Sequence, residues 1–247
     1  MTIIFSVASP SIIVMTVDSA VTLDFPDGRE YSTGRKAHLY PEVGCVATWG
    51  ARNGNQIGRF LEQHKINSGS HSVEELRSLV YQYLTDEYRP HDSNLDDVGY
   101  HIAGFDRDGR ARLFHAFYGF DRPRRPEQER QEYQTLDHSP NPASVTLLYN
   151  GRNDLAEIMV LSLLDQIKMN APTRFDLTTA NGLVRLGDFI ARFAGELTPE
   201  VGPPFLIHLI SPRNEARKIR NNSLCPLDGA EIQKNLQELG INAQAYG

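Results

Sequence analysis

Thr2 follows Met1 directly. A small residue at this position favours loss of the initiator methionine, and the new first residue then carries a hydroxyl and a free α-amine. Such an amine titrates near about 7.7–8.0, so at neutral pH a good fraction can accept the hydroxyl proton. The pair is a nucleophile with its own general base, the chemistry of amide hydrolysis through an acyl-enzyme ester. Threonine at position 2 alone carries little weight, because many proteins have it by chance. The surroundings decide.

Asp18 closes the second apolar run in Thr16-Val17-Asp18-Ser19, and a hairpin returns it toward Thr2. Lys36 lies in Gly34-Arg35-Lys36-Ala37. A buried lysine held by Asp18 would place positive charge beside the hydroxyl and amine and lower the effective pKa of both. Gly50 follows an apolar strand and opens a helix, where a backbone N–H can receive a developing oxyanion.

Other chemistries are poorly represented. The chain has no GxSxG elbow, HExxH pair, Walker loop or GxGxxG fingerprint. His101 and His115 fall in two strands of one hairpin; either could act as a base, but base rates favour core or cross-strand histidines. Asp106 and Asp108 flank a tight turn, so turn chemistry explains them better than a metal. The Arg122–Arg125 cluster reads as a solvated loop. Cys45 sits in an apolar run as a small hydrophobe, and with Cys225 it has no metal-type spacing.

The elements that must position these residues follow from patterning. Ile3–Val7 and Ile12–Val17 read as paired strands across Ser9-Pro10-Ser11. Thr22–Tyr31 reads as a hairpin turning at Pro26-Asp27-Gly28. Val43–Trp49, Val98–Gly104, Ala111–Phe117, Ser144–Tyr149 and Phe205–Ile210 are further strands. Asp106-Arg107-Asp108-Gly109 joins two of them. Ile57, Phe60, Leu61 and His64 mark a helix, and Ser72 with Glu75 opens a second as a capping box. Leu155–Met169 is apolar nearly all round and reads as a helix between layers. Asp176–Phe193 and Asp228–Leu239 are the remaining helices, the last stopped by Gly240. Gly119–Ala143 reads as a solvated loop. Blocks of antiparallel strands alternating with helix pairs predict an α+β fold of two stacked sheets with helices outside each.

The ordered set resembles the proteasome β-subunit superfamily of N-terminal nucleophile hydrolases, including bacterial ring subunits and the Anbu type. The Thr2–Asp18 and Lys36–Gly50 steps keep the family spacing, with two residues added in the 22–33 hairpin. Tyr100-His-Ile-Ala-Gly-Phe-Asp106 resembles a family strand end. Asn150-Gly151 and Val201-Gly202 stand where the family has small Ser-Gly turns. The resemblance covers roughly residues 2–211 and implies a four-layer αββα sandwich. Residues 212–247 suit the longer Anbu-like chains as an intersubunit arm.

By resemblance, the catalytic set is Thr2, Asp18, Lys36, Gly50 and Asn150. Thr48 and Arg52 would line the pocket for the residue before the cut bond; Arg52 reads equally well as a solvated helix residue. The sequence departs from the family at Thr198 and Val201, where an Asp and a Ser are usual. No metal or cofactor is implied. The resemblance further implies a peptide or protein substrate and self-association into a ring or an open helical ring. The alternatives are an inactive ring or scaffold subunit with the same fold and a small-molecule amidohydrolase.

Composition sets the remaining bounds. The 247 residues carry a formal net charge of −6, which opposes a general nucleic-acid surface. No window approaches the roughly 18–20 apolar residues of a membrane span, and the apolar start lacks the basic flank of a secretory signal. The expectation is a reducing cytoplasm.

Overall fold

Ile3–Ala8 (β1) and Ile13–Val17 (β2) are apolar at nearly every position, and both strands are buried on both faces. Continuous apolarity of this kind belongs to strands enclosed between layers rather than to a half-solvated sheet. The computed structural model describes residues 2–25, 28–50, 56–87, 98–119, 132–141, 144–151, 175–212 and 216–238. Among these, β1 and β2 are joined by Thr146–Gly151 (β10), Phe205–Ile210 (β11) and Ala216–Asn221 (β12) into a five-stranded antiparallel sheet ordered β10-β1-β2-β11-β12.

A second five-stranded antiparallel sheet comprises Ala37–Tyr40 (β5), Gly44–Gly50 (β6), Val98–Phe105 (β7), Ala111–Gly119 (β8) and Glu132–Asp137 (β9), in that order. Ala20–Phe25 (β3) and Gly28–Thr33 (β4) form the separate hairpin. Its pairing runs Ala20↔Thr33 through Phe25↔Gly28, in keeping with the expected turn. At the β7–β8 turn, Asp106 Oδ1 accepts the N–H groups of Asp108 (2.9 Å) and Arg110 (2.8 Å), and Gly109 takes φ +74°. The Asp106 carboxylate therefore serves the turn, and Asp108 enters it through its backbone N–H.

Four helices are described: Ile57–Gln63 (α1), Val73–Gln82 (α2, continued by a π turn over Tyr83–Glu87), Ala180–Leu197 (α3) and Gly229–Glu238 (α4). The capping box at α2 is present, with Ser72 Oγ accepting Glu75 N–H at 3.3 Å and Glu75 Oε2 accepting Ser72 N–H at 2.5 Å. α3 starts four residues later than the patterning predicts, because Thr179 caps it by accepting Gly182 N–H at 3.1 Å.

Three apolar clusters stack through the molecule. Ile3, Phe5, Val14, Phe205 and Ile207 on one face of the first sheet pack with Leu183, Leu186 and Ile190 of α3. Ile4, Met15, Ala47, Trp49, Phe105 and Leu113 fill the space between the sheets. Val46, Tyr100, Ile102 and Phe114 on the far face of the second sheet pack with Leu61, Leu76 and Val80. Burying each such large apolar side chain is worth roughly 1.5–3 kcal/mol. The fold is a mixed α/β arrangement of two five-stranded sheets, the two-stranded β3–β4 hairpin and four described helices.

Three elements correct the sequence expectations. The supposed solvated loop Gly119–Ala143 contains β9, which pairs Phe114↔Asp137 through Gly119↔Glu132. Its polar composition reflects an edge strand, which must stay hydrophilic to avoid pairing with other chains. β5 was hidden by its brevity, and β12 by its Arg- and Lys-rich sequence at the opposite edge of the first sheet. Helix Leu155–Met169, Arg122–Arg125 and Gly240 lie outside the described residues.

Within the segment after residue 211, β12 extends the first sheet, while Leu227 and the α4 residues Ile232 and Leu236 enter the cluster beneath α3. No helix among the described residues is long and apolar enough to cross a membrane.

Candidate active site

β1 and β2 pair with Ile4 opposite Val17, so the residue after β2 returns beside the start of β1. Asp18 is fully buried there. Its Oδ1 accepts the Ile3 N–H at 2.9 Å, and its Oδ2 accepts the Ala20 N–H at 3.0 Å. Lys36 Nζ lies 2.9 Å from both oxygens. One carboxylate thus ties the peptide next to Thr2 to a lysine from the segment before β5. Thr2 itself is buried, with 7% of its surface exposed.

The electrostatics are costly. Burial drives the Lys36 ammonium below its ordinary value, opposed by the Asp18 charge and hydrogen bonds. Burial likewise raises the Asp18 carboxyl, opposed first by Lys36 and then by the two backbone donors. Lys36 is held through its backbone as well, its carbonyl accepting the Thr48 N–H at 2.8 Å.

Gly50 ends β6 with φ +89°, a left-handed conformation that favours glycine. It pairs with Val98 and is exposed. Thr48 is buried and, by the period of two, shares the helix-side face with Val46 rather than the inter-sheet face of Ala47 and Trp49. Arg52 lies outside the described residues.

Asn150 stands opposite Ile4 in β10, and Gly151 opposite Ile3. Gly151 adopts φ +106°, and a Cβ there would collide with the Thr2 carbonyl. β10 can pass this close to Thr2 only with glycine at that point. Asn150 Oδ1 lies 2.7 Å from His101 Nε2, and His101 Nδ1 lies 2.8 Å from Ser6 Oγ. His115 accepts the indole N–H of Trp49 at 3.2 Å. Both histidines are thus partnered within the inter-sheet layer.

The structure therefore brings Thr2, Asp18, Lys36 and the Asn150 strand to one end of the inter-sheet space. Thr198 and Val201 sit differently. Val201 points into the apolar cluster beneath α3, and Thr198 Oγ accepts the Glu200 N–H at 3.3 Å. Sequence reasoning missed Ser19, which fastens the loop after α3 to this corner. Its N–H donates to the Gly202 carbonyl (3.2 Å) and its hydroxyl to the Pro204 carbonyl (2.6 Å). These partners are 183 and more residues away in the chain, and no local pattern announces them. Among the described residues, no group of three or more His, Cys, Asp or Glu could hold a metal ion.

No family model matches the sequence, and no curated protein matches it. Solved structures do. The Anbu complex from Pseudomonas aeruginosa, solved as a helical assembly, aligns at TM-score 0.63 and 14% identity, covering 96% of this chain and 92% of that one. A Gly-1 mutant of Anbu from Hyphomicrobium sp. strain MC1 aligns at TM-score 0.62 and 11% identity, covering 97% and 96%. Anbu (ancestral β-subunit) from Yersinia bercovieri aligns at TM-score 0.59 and 13% identity, covering 99% and 98%. Over nearly its whole length, the chain shares the fold of Anbu proteins.

Proposed function

We propose that this chain is a threonine-type amide hydrolase of the N-terminal nucleophile kind, with Thr2 as its nucleophile. One observation carries the reading: the Asp18 carboxylate holds both the Lys36 ammonium and the N–H of Ile3. A buried lysine is expensive to keep, and packing alone does not require one. Two of its three N–H bonds serve Asp18, which leaves the third for the Thr2 hydroxyl. The three stacked clusters support the four-layer αββα sandwich that this class uses.

Loss of Met1 frees the Thr2 amine. In the proposed reaction, Thr2 Oγ attacks the substrate carbonyl while the amine, directly or through one water, takes the hydroxyl proton. Lys36 stabilises the developing alkoxide charge, and the Gly50 N–H receives the oxyanion. The C–N bond breaks, the departing amine takes the proton, and an ester to Thr2 remains. Water then attacks the ester and restores the free hydroxyl. By resemblance Arg52 would read the residue before the cut bond, whereas Thr48, on the helix-side face, takes no part in that pocket; Asn150 steadies the amine. No metal or organic cofactor enters.

Peptides or proteins are the proposed substrates, and a homo-oligomeric ring or open helical ring the working form. The helical assembly of the Pseudomonas aeruginosa Anbu complex supports self-association. The segment 212–247 is proposed as the intersubunit arm, with α4 as its root. Both cysteines are free thiols, which suits a reducing cytoplasm.

Cleavage of an amide-linked fluorogenic peptide set tests the reading. Wild type should turn over at least one member and Thr2→Ala none. Equal rates for the two proteins would refute it. A second reading, an inactive scaffold subunit, is favoured by Val201: it stands where the resemblance implies a serine that steadies the amine, and its side chain lies instead in the apolar cluster beneath α3. Assembly without turnover or covalent labelling would select it.

A further inference from the structure

Ser6, His101 and Asn150 come from β1, β7 and β10, so two sheets contribute to one polar chain inside an apolar layer. His101 is fully buried. Buried polar groups are as a rule hydrogen-bonded, and here both ring nitrogens are engaged, in contrast to those of buried His208. The tautomer follows from the partners. Asn150 Oδ1 can only accept, so His101 Nε2 carries the hydrogen. Burial holds the His101 pKa down to about 3, so the ring is neutral and Nδ1 is bare. The Ser6 hydroxyl must then donate to Nδ1 at 2.8 Å. His115, edge-on at 5.4 Å, and His138 are the titratable neighbours of this ring, and His138 opposes its protonation.

This chain has a direction. Along the inter-sheet face of β1 come Thr2, Ile4 and Ser6 in turn, and Asn150 is paired opposite Ile4. His101 bridges Asn150 and Ser6, and so engages the carboxamide oxygen from the Ser6 end. The amide NH2 is left for the other end, where Thr2 is the diagonal neighbour at about 7 Å between backbones. We propose that His101 is a positioning residue for the Thr2 site, anchored by Ser6 and holding Asn150 by its oxygen so that its amide N–H groups face the Thr2 amine. A donor aimed at that amine favours its neutral form, which is the form needed to accept a proton. The role rests on the hydrolase reading above. The amine's charged neighbours, Lys36 and Asp18, are left unchanged by the test.

The test follows the pH dependence of Thr2 acylation by a threonine-directed β-lactone, read by intact mass, together with 15N NMR of the histidine rings. In wild type, His101 should show the Nε2–H tautomer. Ser6→Ala, a small change expected to fold, should shift the acid limb of the acylation profile to higher pH. His101→Phe should shift it further, by about one pH unit, because the freed carboxamide can turn its oxygen to the ammonium. His101→Gln, which can still donate to Asn150 Oδ1, should restore most of the wild-type profile. Identical limbs in wild type, Ser6→Ala and His101→Phe would overturn the positioning role while leaving the hydrolase reading intact. An Nδ1–H tautomer would overturn it as well. Wild type that is never acylated refutes the hydrolase reading, and the positioning role with it.

Discussion

Among the described residues two aspartates are buried, Asp18 and Asp188, and they are held differently. Asp188 sits on α3 and accepts Arg192 Nε at 3.0 Å, Asn221 Nδ2 at 2.8 Å and the Leu227 N–H at 3.2 Å. It fastens β12 and the approach to α4 onto α3. Asp18 also collects a cation and backbone donors, but its cation is a lysine that is itself buried. Arg192, one helical turn from its partner, keeps 14% of its side chain exposed. An arginine stays charged anywhere and forks onto several acceptors, which suits a clamp. A buried lysine has a depressed pKa and offers a compact charge, which suits chemistry at a neighbouring hydroxyl. A buried carboxylate therefore says little by itself; the cation it holds, and what lies beside that cation, separate a clamp from a reactive corner.

Substitutions can break or sharpen this contrast. Thr2→Ala should lower turnover by about a thousandfold or more and leave the melting temperature unchanged. Asp188→Ala should do the reverse. Leaving Arg192 and the Leu227 N–H without their acceptor should cost about 3 kcal/mol in urea unfolding, while activity per folded molecule persists. Lys36→Ala should reduce activity by roughly a hundredfold with only a small change in stability. Asp18 can answer the loss by taking a proton, since burial already pushes its carboxyl up. A collapse of folding in Lys36→Ala would make the two aspartates alike and the contrast false.

Smaller effects come from elsewhere in the molecule. His38 is held down to about 4, and His101 and His208 to about 3, with burial as the leading cause for each. Below pH 6.5 the unfolded chain binds protons that these folded rings refuse, so stability present above pH 6.5 is lost as pH falls. Between pH 6.5 and 5 the loss should be roughly 2 kcal/mol per ring, measured by denaturant midpoints across that range. A flat profile would mean that the rings are not excluded from water. Ser72→Ala, which removes half of the α2 capping box, should cost only about 1 kcal/mol and leave both aspartate sites untouched.

Much of this was legible in the sequence where the signal is local. β1, β2, β7, β8 and the capping box at Ser72 are written in apolar runs and short-range hydrogen bonds. Edge strands β9 and β12 were not, because an edge must carry charge and so imitates a loop. Thr2, Asp18 and Lys36 stood out through spacing that matched a family order, and the β1–β2 register then places Asp18 beside Ile3. The Ser6–His101–Asn150 chain joins residues 49 and 95 positions apart. Nothing in a strand of alternating residues distinguishes a histidine that caps an asparagine from one that merely fills a layer. The same holds for Ser19, whose partners Gly202 and Pro204 arrive from the far end of the chain.

The proposed base and nucleophile are the nitrogen that loss of Met1 would free and the hydroxyl of Thr2. Intact mass spectrometry of the purified protein, before and after a threonine-directed electrophile, measures both. A chain lacking Met1 that gains one adduct on Thr2, with none in Thr2→Ala, is the predicted result; a chain that retains Met1, or carries its adduct elsewhere, contradicts the account.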